Sequence, residues 1–167
     1  MVLPIRFRNV HYYRIAGRYI FAGDLFITRG NLYFFPEVDL AEQREEIGHV
    51  VPHELGLLLA VAVFVAQKIH SYHSRVDFWT DRMSNEAFEK QAAVYIQDLK
   101  FKRQYQQFGK TLPVPTHVSS AEVSDIKLTS FGKLSFRAQS DDHDFNIGLR
   151  RRTRLREALW EAGLGRF

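Results

Sequence analysis

The sequence predicts an α+β fold: an antiparallel split β-barrel, interrupted by an α-helical hairpin and capped by a C-terminal helix. Three observations carry this. Apolar residues alternate with polar ones around residues 5–36 and again around 126–149. Between about 54 and 108 they recur at steps of three and four. At the end of the chain the helical period returns with Leu155, Leu159 and Ala162.

In chain order, Ile5 and Phe7 alternate with Arg6 and Arg8, and Tyr12 to Ile15 and Tyr19 to Phe21 continue the strand-like usage around Ala16-Gly17. Leu25 and Ile27 alternate with Phe26 and Thr28. Gly30-Asn31 supplies a turn, and Leu32 to Phe35 return as the partner strand. Pro36, which has no N–H to give a ladder, is expected to end it. Residues 1–49 thus form the first meander.

Residues 50–110 are expected to be the helical hairpin. Leu58, Ala62, Val65, Ile69, Tyr72, Val76, Trp79 and Met83 make one stripe, and Pro52 suits the first turn of that helix. Phe88, Ala92, Tyr95 and Leu99 make the stripe of a second helix from about Asn85 to Phe108, with Gly109 as its stop. The run from Leu57 to Val65 is shorter than the roughly 20 apolar residues a spanning helix needs, so no transmembrane span is expected. Burial, a homo-oligomer seam and shallow contact with a membrane all fit it.

Residues 111–167 supply the second meander and the last helix. Ile126 and Leu128, then Leu134, Phe136 and Ala138, then Phe145, Ile147 and Leu149 read as three strands. Phe131-Gly132-Lys133 and Ser140-Asp141-Asp142-His143 read as their turns. Gly163 suits the end of the final helix.

At 167 residues, 46% hydrophobic and 14% aromatic, the chain can bury a core as one domain. Its lack of cysteine excludes disulfides, thiol catalysis and thiolate-bound zinc. The start of the chain has no basic-then-apolar signal, so a cytoplasmic protein is expected, peripheral at most to a membrane. The net charge of +4 permits an anionic partner without demanding one. Acidic residues gather at Glu37, Asp39, Glu42, Glu45 and Glu46, and arginines at Arg150, Arg151, Arg152, Arg154 and Arg156.

These arginines precede or open the last helix, where positive charge opposes the helix dipole, a mismatch that favours a functional role. Guanidinium groups pair bidentately with phosphate, so the cluster reads as an anion- or lipid-binding patch, to which Arg14 and Arg18 add. Stacking aromatics are not interleaved with it, which argues against nucleic acid. The histidine pairs His49/His53 and His70/His73 lack a third ligand at recognised spacing, and no cofactor or metal is expected. No nucleophile elbow, phosphate loop or dinucleotide fingerprint occurs, and no enzyme is expected.

The hairpin from Gly23 to Pro36 also resembles the GRAM branch of the pleckstrin-homology-like domains, in which a Gly-x-Leu-aromatic-Ile-Thr strand turns into Leu-Tyr-Phe-Phe. Residues 118–163, with Ser124-Asp125-Ile126, Gly132 to Phe136 and the helix around Trp160, are similar to the second half of that fold. The resemblance implies a non-catalytic binding module with a barrel capped by its last helix. Such a module would be recruited to an anionic membrane surface or a protein partner. Residues 50–110 have no counterpart in a minimal domain of this kind, and the family's inositol-phosphate motif is not found. The alternative is an oligomerisation or scaffold protein working through residues 54–108, with Leu58, Val65, Ile69, Tyr72, Val76 and Trp79 as the interface.

Overall fold

The computed structural model describes residues 3–14, 19–39, 76, 78–105 and 115–165. Among these, one antiparallel sheet is built from β1 (Ile5–Arg14), β2 (Tyr19–Ile27), β3 (Asn31–Asp39), β4 (Thr116–Ser119), β5 (Ser124–Leu128), β6 (Lys133–Ala138) and β7 (Asp141–Asn146). Helix α1 (Asn85–Tyr105) lies between β3 and β4 in the chain, and α2 (Arg152–Glu161) follows β7. The strand order is β4-β3-β2-β1-β7-β6-β5. Two meanders therefore meet where His11–Arg14 of β1 pair with His143–Asn146 of β7. β4 and β5 end the order, and the sheet is not closed.

Strand periodicity explains the two layers. Leu25, Ile27, Leu32 and Phe34 point to one face, where they pack with Phe136 and Phe145 and with Leu155, Ala158 and Leu159 of α2. Phe26, Tyr33 and Phe35 point to the other face and would be exposed without a cover. Phe88 and Ala92 of α1, with Val76, bury them. The ring centroids of Phe26 and Phe88 lie 4.7 Å apart, and the Tyr33 and Phe88 rings meet edge to face at 5.4 Å. Such aromatic pairs each add about 1 kcal/mol beyond the area they bury.

α2 ends in a Schellman motif. Gly163 has φ +80°, its N–H donates to the Trp160 carbonyl (3.0 Å), and the Leu164 N–H donates to the Leu159 carbonyl (2.8 Å). Leu155, Leu159 and Ala162 are buried, the face their spacing predicts.

Several local expectations are corrected. β3 does not stop at Pro36 but runs on to Asp39. The ladder shifts register where Pro36 faces Gly23, and a Cβ on Gly23 would meet the Phe35 carbonyl oxygen at 2.2 Å, so only glycine admits the crossing. The first hairpin turns on Arg29-Gly30, and Asn31 already belongs to β3. Asp141, Asp142 and His143 are strand, because the β6–β7 turn is made by Gln139 (φ 51°) and Ser140 (φ 71°). Leu149 opens a 3-10 turn (Leu149–Arg151) instead of ending a strand.

The first predicted helix lies mostly outside the described residues. Val76 and residues 78–81, expected toward its far end, are not helical, although Val76 is buried; Arg82-Met83-Ser84, expected as the short connection to the second helix, are not helical either. Trp160, on α2, is 71% exposed.

Candidate functional site

Arg150 and Arg151 occupy the 3-10 turn that carries β7 into α2, and Arg152 is the first residue of the helix. Arg150, Arg151, Arg154 and Arg156 are exposed, while Arg152 is partly buried. No acidic residue occurs from Phe145 to Arg156, and among the described residues no ion pair engages these five arginines. The helix has neither a side-chain N-cap nor an acid in its first turn. The buried Arg152 Nε has no hydrogen-bond partner.

The fold adds a residue that sequence spacing does not bring to this cluster. β1 carries a bulge between Phe7 and Val10, with Asn9 at φ 51°. There Arg151 Nη1 donates to the carbonyl of Arg8, itself exposed. The Arg154 guanidinium lies 5.9 Å from the centroid of the buried Phe7 ring. The arginines of the α2 start and the β1 bulge thus share one rim. Arg8 lies 142 positions before Arg150 in the sequence, and the β1–β7 pairing helps bring the two segments together.

Arg14 ends β1, its backbone paired with Tyr19 and His143; its side chain lies outside the described residues. Arg18, Leu58, Val65, Ile69 and Tyr72 also lie outside them. Val76 packs inward against the sheet, and Trp79 packs on Phe26 at 5.6 Å.

A second concave feature lies between α1 and the sheet, with a volume of about 570 Å³ and walls that include Tyr12, Tyr33, Lys100, His117 and His143. Tyr12 Oη and His143 Nδ1 share a buried hydrogen bond of 2.8 Å. The His143 ring stacks between Tyr12 and Phe136, so it belongs to the aromatic core as much as to the cleft. Burial, and then the nearby Glu89 carboxylate, push the Tyr33 hydroxyl up to about 12. The Asp-rich segment read as a turn hid His143, whose burial follows from its place in β7.

Among the described residues, no helix is long and apolar enough to cross a membrane. No family model matches the chain, and neither the curated proteins nor the solved structures contain a match.

Proposed function

We propose that the chain is a non-catalytic binding module of the GRAM, pleckstrin-homology-like type, recruited to anionic membrane surfaces through the arginine rim. The observation that carries this reading is the convergence of exposed Arg8, Arg150, Arg151 and Arg154 on one rim that lacks acidic partners among the described residues. Five arginines at an uncapped helix start repel one another and the helix dipole. A bound phosphate would relieve both, and guanidinium forks match its geometry. Each arginine near an anionic bilayer contributes about 1 kcal/mol. The fold assignment is supported by the strand order of two meanders joined through β1 and β7, with α2 packed on one face.

The experiment is flotation with neutral and phosphatidylserine-containing vesicles, comparing wild type with Arg150→Glu/Arg151→Glu. Both side chains are exposed, so the fold is expected to survive, as circular dichroism would check. Binding to the anionic vesicles only, weakened by salt and lost in the variant, is the expected result. Equal binding by the variant would reject the rim as the contact.

A further inference from the structure

We infer that Phe131 and Leu149 form an apolar tip beside the arginine rim that inserts into the bilayer once the arginines have brought the module to it. This rests on the membrane reading above and adds a second, uncharged source of binding.

Phe131, in the β5–β6 turn, is 77% exposed, and Leu149, between β7 and α2, is 63% exposed. Leaving such side chains in water forgoes the gain that burial would bring. Scattered apolar residues need no explanation. These two are not scattered. Ile147 N–H donates to the Gly132 carbonyl (3.1 Å), and a Cβ on Gly132 would lie 2.5 Å from the Gly148 carbonyl oxygen and 3.2 Å from Leu149 N. The residue before Gly132 and the residue after Gly148 therefore rise from abutting backbones. Both turns are held by hydrogen bonds, Gly132 N–H to the Thr129 carbonyl and Arg151 N–H to the Gly148 carbonyl, so the tip is rigid before it meets a partner.

Charge identifies that partner. Leu149 is followed directly by Arg150 and Arg151, and Arg151 reaches Arg8. The tip of the β5–β6 hairpin, from Ile126 to Phe136, carries Lys127 and Lys133 and no acid; Asp125 lies farther back on β5 beside Arg137, and Lys133 pairs with Asp144 of β7 (3.1 Å). A neutral apolar groove would match the pair alone. An anionic bilayer matches both parts, because its head groups meet the guanidinium groups while its acyl region takes the phenyl and isobutyl groups.

The test compares wild type, Phe131→Ser/Leu149→Ser and Trp160→Ala on phosphatidylserine-containing vesicles, at about 0.1 M and about 0.5 M salt, with penetration of a lipid monolayer of the same composition as a second readout. Trp160, exposed farther along α2, controls for loss of an exposed aromatic. Wild type is expected to raise monolayer surface pressure and to keep part of its binding at high salt. Phe131→Ser/Leu149→Ser should bind about tenfold or more weakly at high salt and leave the pressure unchanged. Trp160→Ala should behave as wild type. Binding without penetration, unaffected by Phe131→Ser/Leu149→Ser, would overturn the tip and leave the arginine rim standing. An equal loss in Trp160→Ala would also overturn it. Failure of wild type to bind anionic vesicles at low salt would overturn both readings.

Discussion

The guanidinium of Arg6 and the carboxylate of Asp24 form an ion pair across β1 and β2 with side chains 7% and 0% exposed. Arg6 Nε donates to Asp24 Oδ2 at 2.8 Å, and Nη2 donates to the same oxygen. The guanidinium carbon lies 4.8 Å from the centroid of the Trp79 ring and 5.5 Å from that of Phe26. Burying two charges gains little net stability, but losing one partner leaves the other uncompensated. Asp24→Ala is therefore expected to cost about 3–5 kcal/mol, by urea unfolding. A cost below about 1 kcal/mol would show that the pair is solvated.

Gly132 and Gly163 have almost the same positive φ, +79° and +80°, but different surroundings. A Cβ at Gly163 meets nothing within 4 Å, whereas at Gly132 it meets the Gly148 backbone at 2.5 Å. Alanine at either position pays the cost of a left-handed conformation, about 1 kcal/mol. Gly132→Ala is expected to lose more than Gly163→Ala, since backbone must shift to make room. Thermal unfolding of the two variants checks this, and equal losses would refute the close approach beneath Phe131 and Leu149.

Much of this architecture is legible in the sequence because it follows from local pattern. The strands around Leu25, Leu134 and Phe145 and the buried face of α2 each come from spacing alone. Nonlocal arrangements are not legible. Pro36 sits inside a strand because a glycine thirteen residues earlier accepts it. Asp141 and Asp142 have turn composition, but two positive-φ residues just before them complete the turn first. Of the anticipated arginine patch, the residues from Arg150 to Arg156 are adjacent in sequence and could be read directly. Arg8 and Phe131 join them only through a bulge and a glycine contact. The second layer is not read from the sequence: Phe26, Tyr33 and Phe35 face away from the first core, and α1 covers them.

Glu89 ties α1 to the β2–β3 turn. Its Oε1 accepts from Thr28 Oγ1 (2.6 Å) and Asn31 Nδ2 (2.8 Å), and Asn31 Oδ1 in turn accepts from His117 Nε2 (3.0 Å). Glu89→Ala strips Asn31 Nδ2 of its acceptor and leaves Thr28 Oγ1 only the longer bond to the Asn31 carbonyl (3.2 Å), and is expected to cost about 1–3 kcal/mol. Glu89→Gln keeps an acceptor oxygen and should cost less. Similar losses for both, in denaturant titrations, would place the contribution in charge instead of hydrogen bonding.

Burial of Tyr33, helped by the same carboxylate, sets an alkaline limit on stability. Tyr33 keeps its proton in the folded protein up to about 12, while the unfolded chain releases it near the ordinary value of 10. Between those limits the folded state binds more protons, so stability falls as pH rises, by at most about 1.4 kcal/mol per pH unit from this group. Below that window Tyr33 adds no slope. Tyr33→Phe should therefore lose less stability than wild type across it. Glu89→Ala should bring the Tyr33 titration down only in part, because burial is the larger cause. Phenolate absorbance follows the titration, and a slope unchanged in Tyr33→Phe would assign the alkaline loss to other groups.

α2 offers an internal comparison between two large apolar residues five positions apart. Leu155 is fully buried in the core beneath the sheet, whereas Trp160 is exposed and rests on Gly165, where a Cβ would meet its ring at 2.2 Å. Leu155→Ala removes side-chain contacts in a close-packed site and leaves a cavity, which is expected to cost about 2–5 kcal/mol. Trp160→Ala gives up only a one-sided contact, and its cost should stay below about 1 kcal/mol. If the two costs were reversed, in equilibrium unfolding of both variants, Trp160 would be the helix anchor, and α2 would have to be rotated about its axis relative to the sheet.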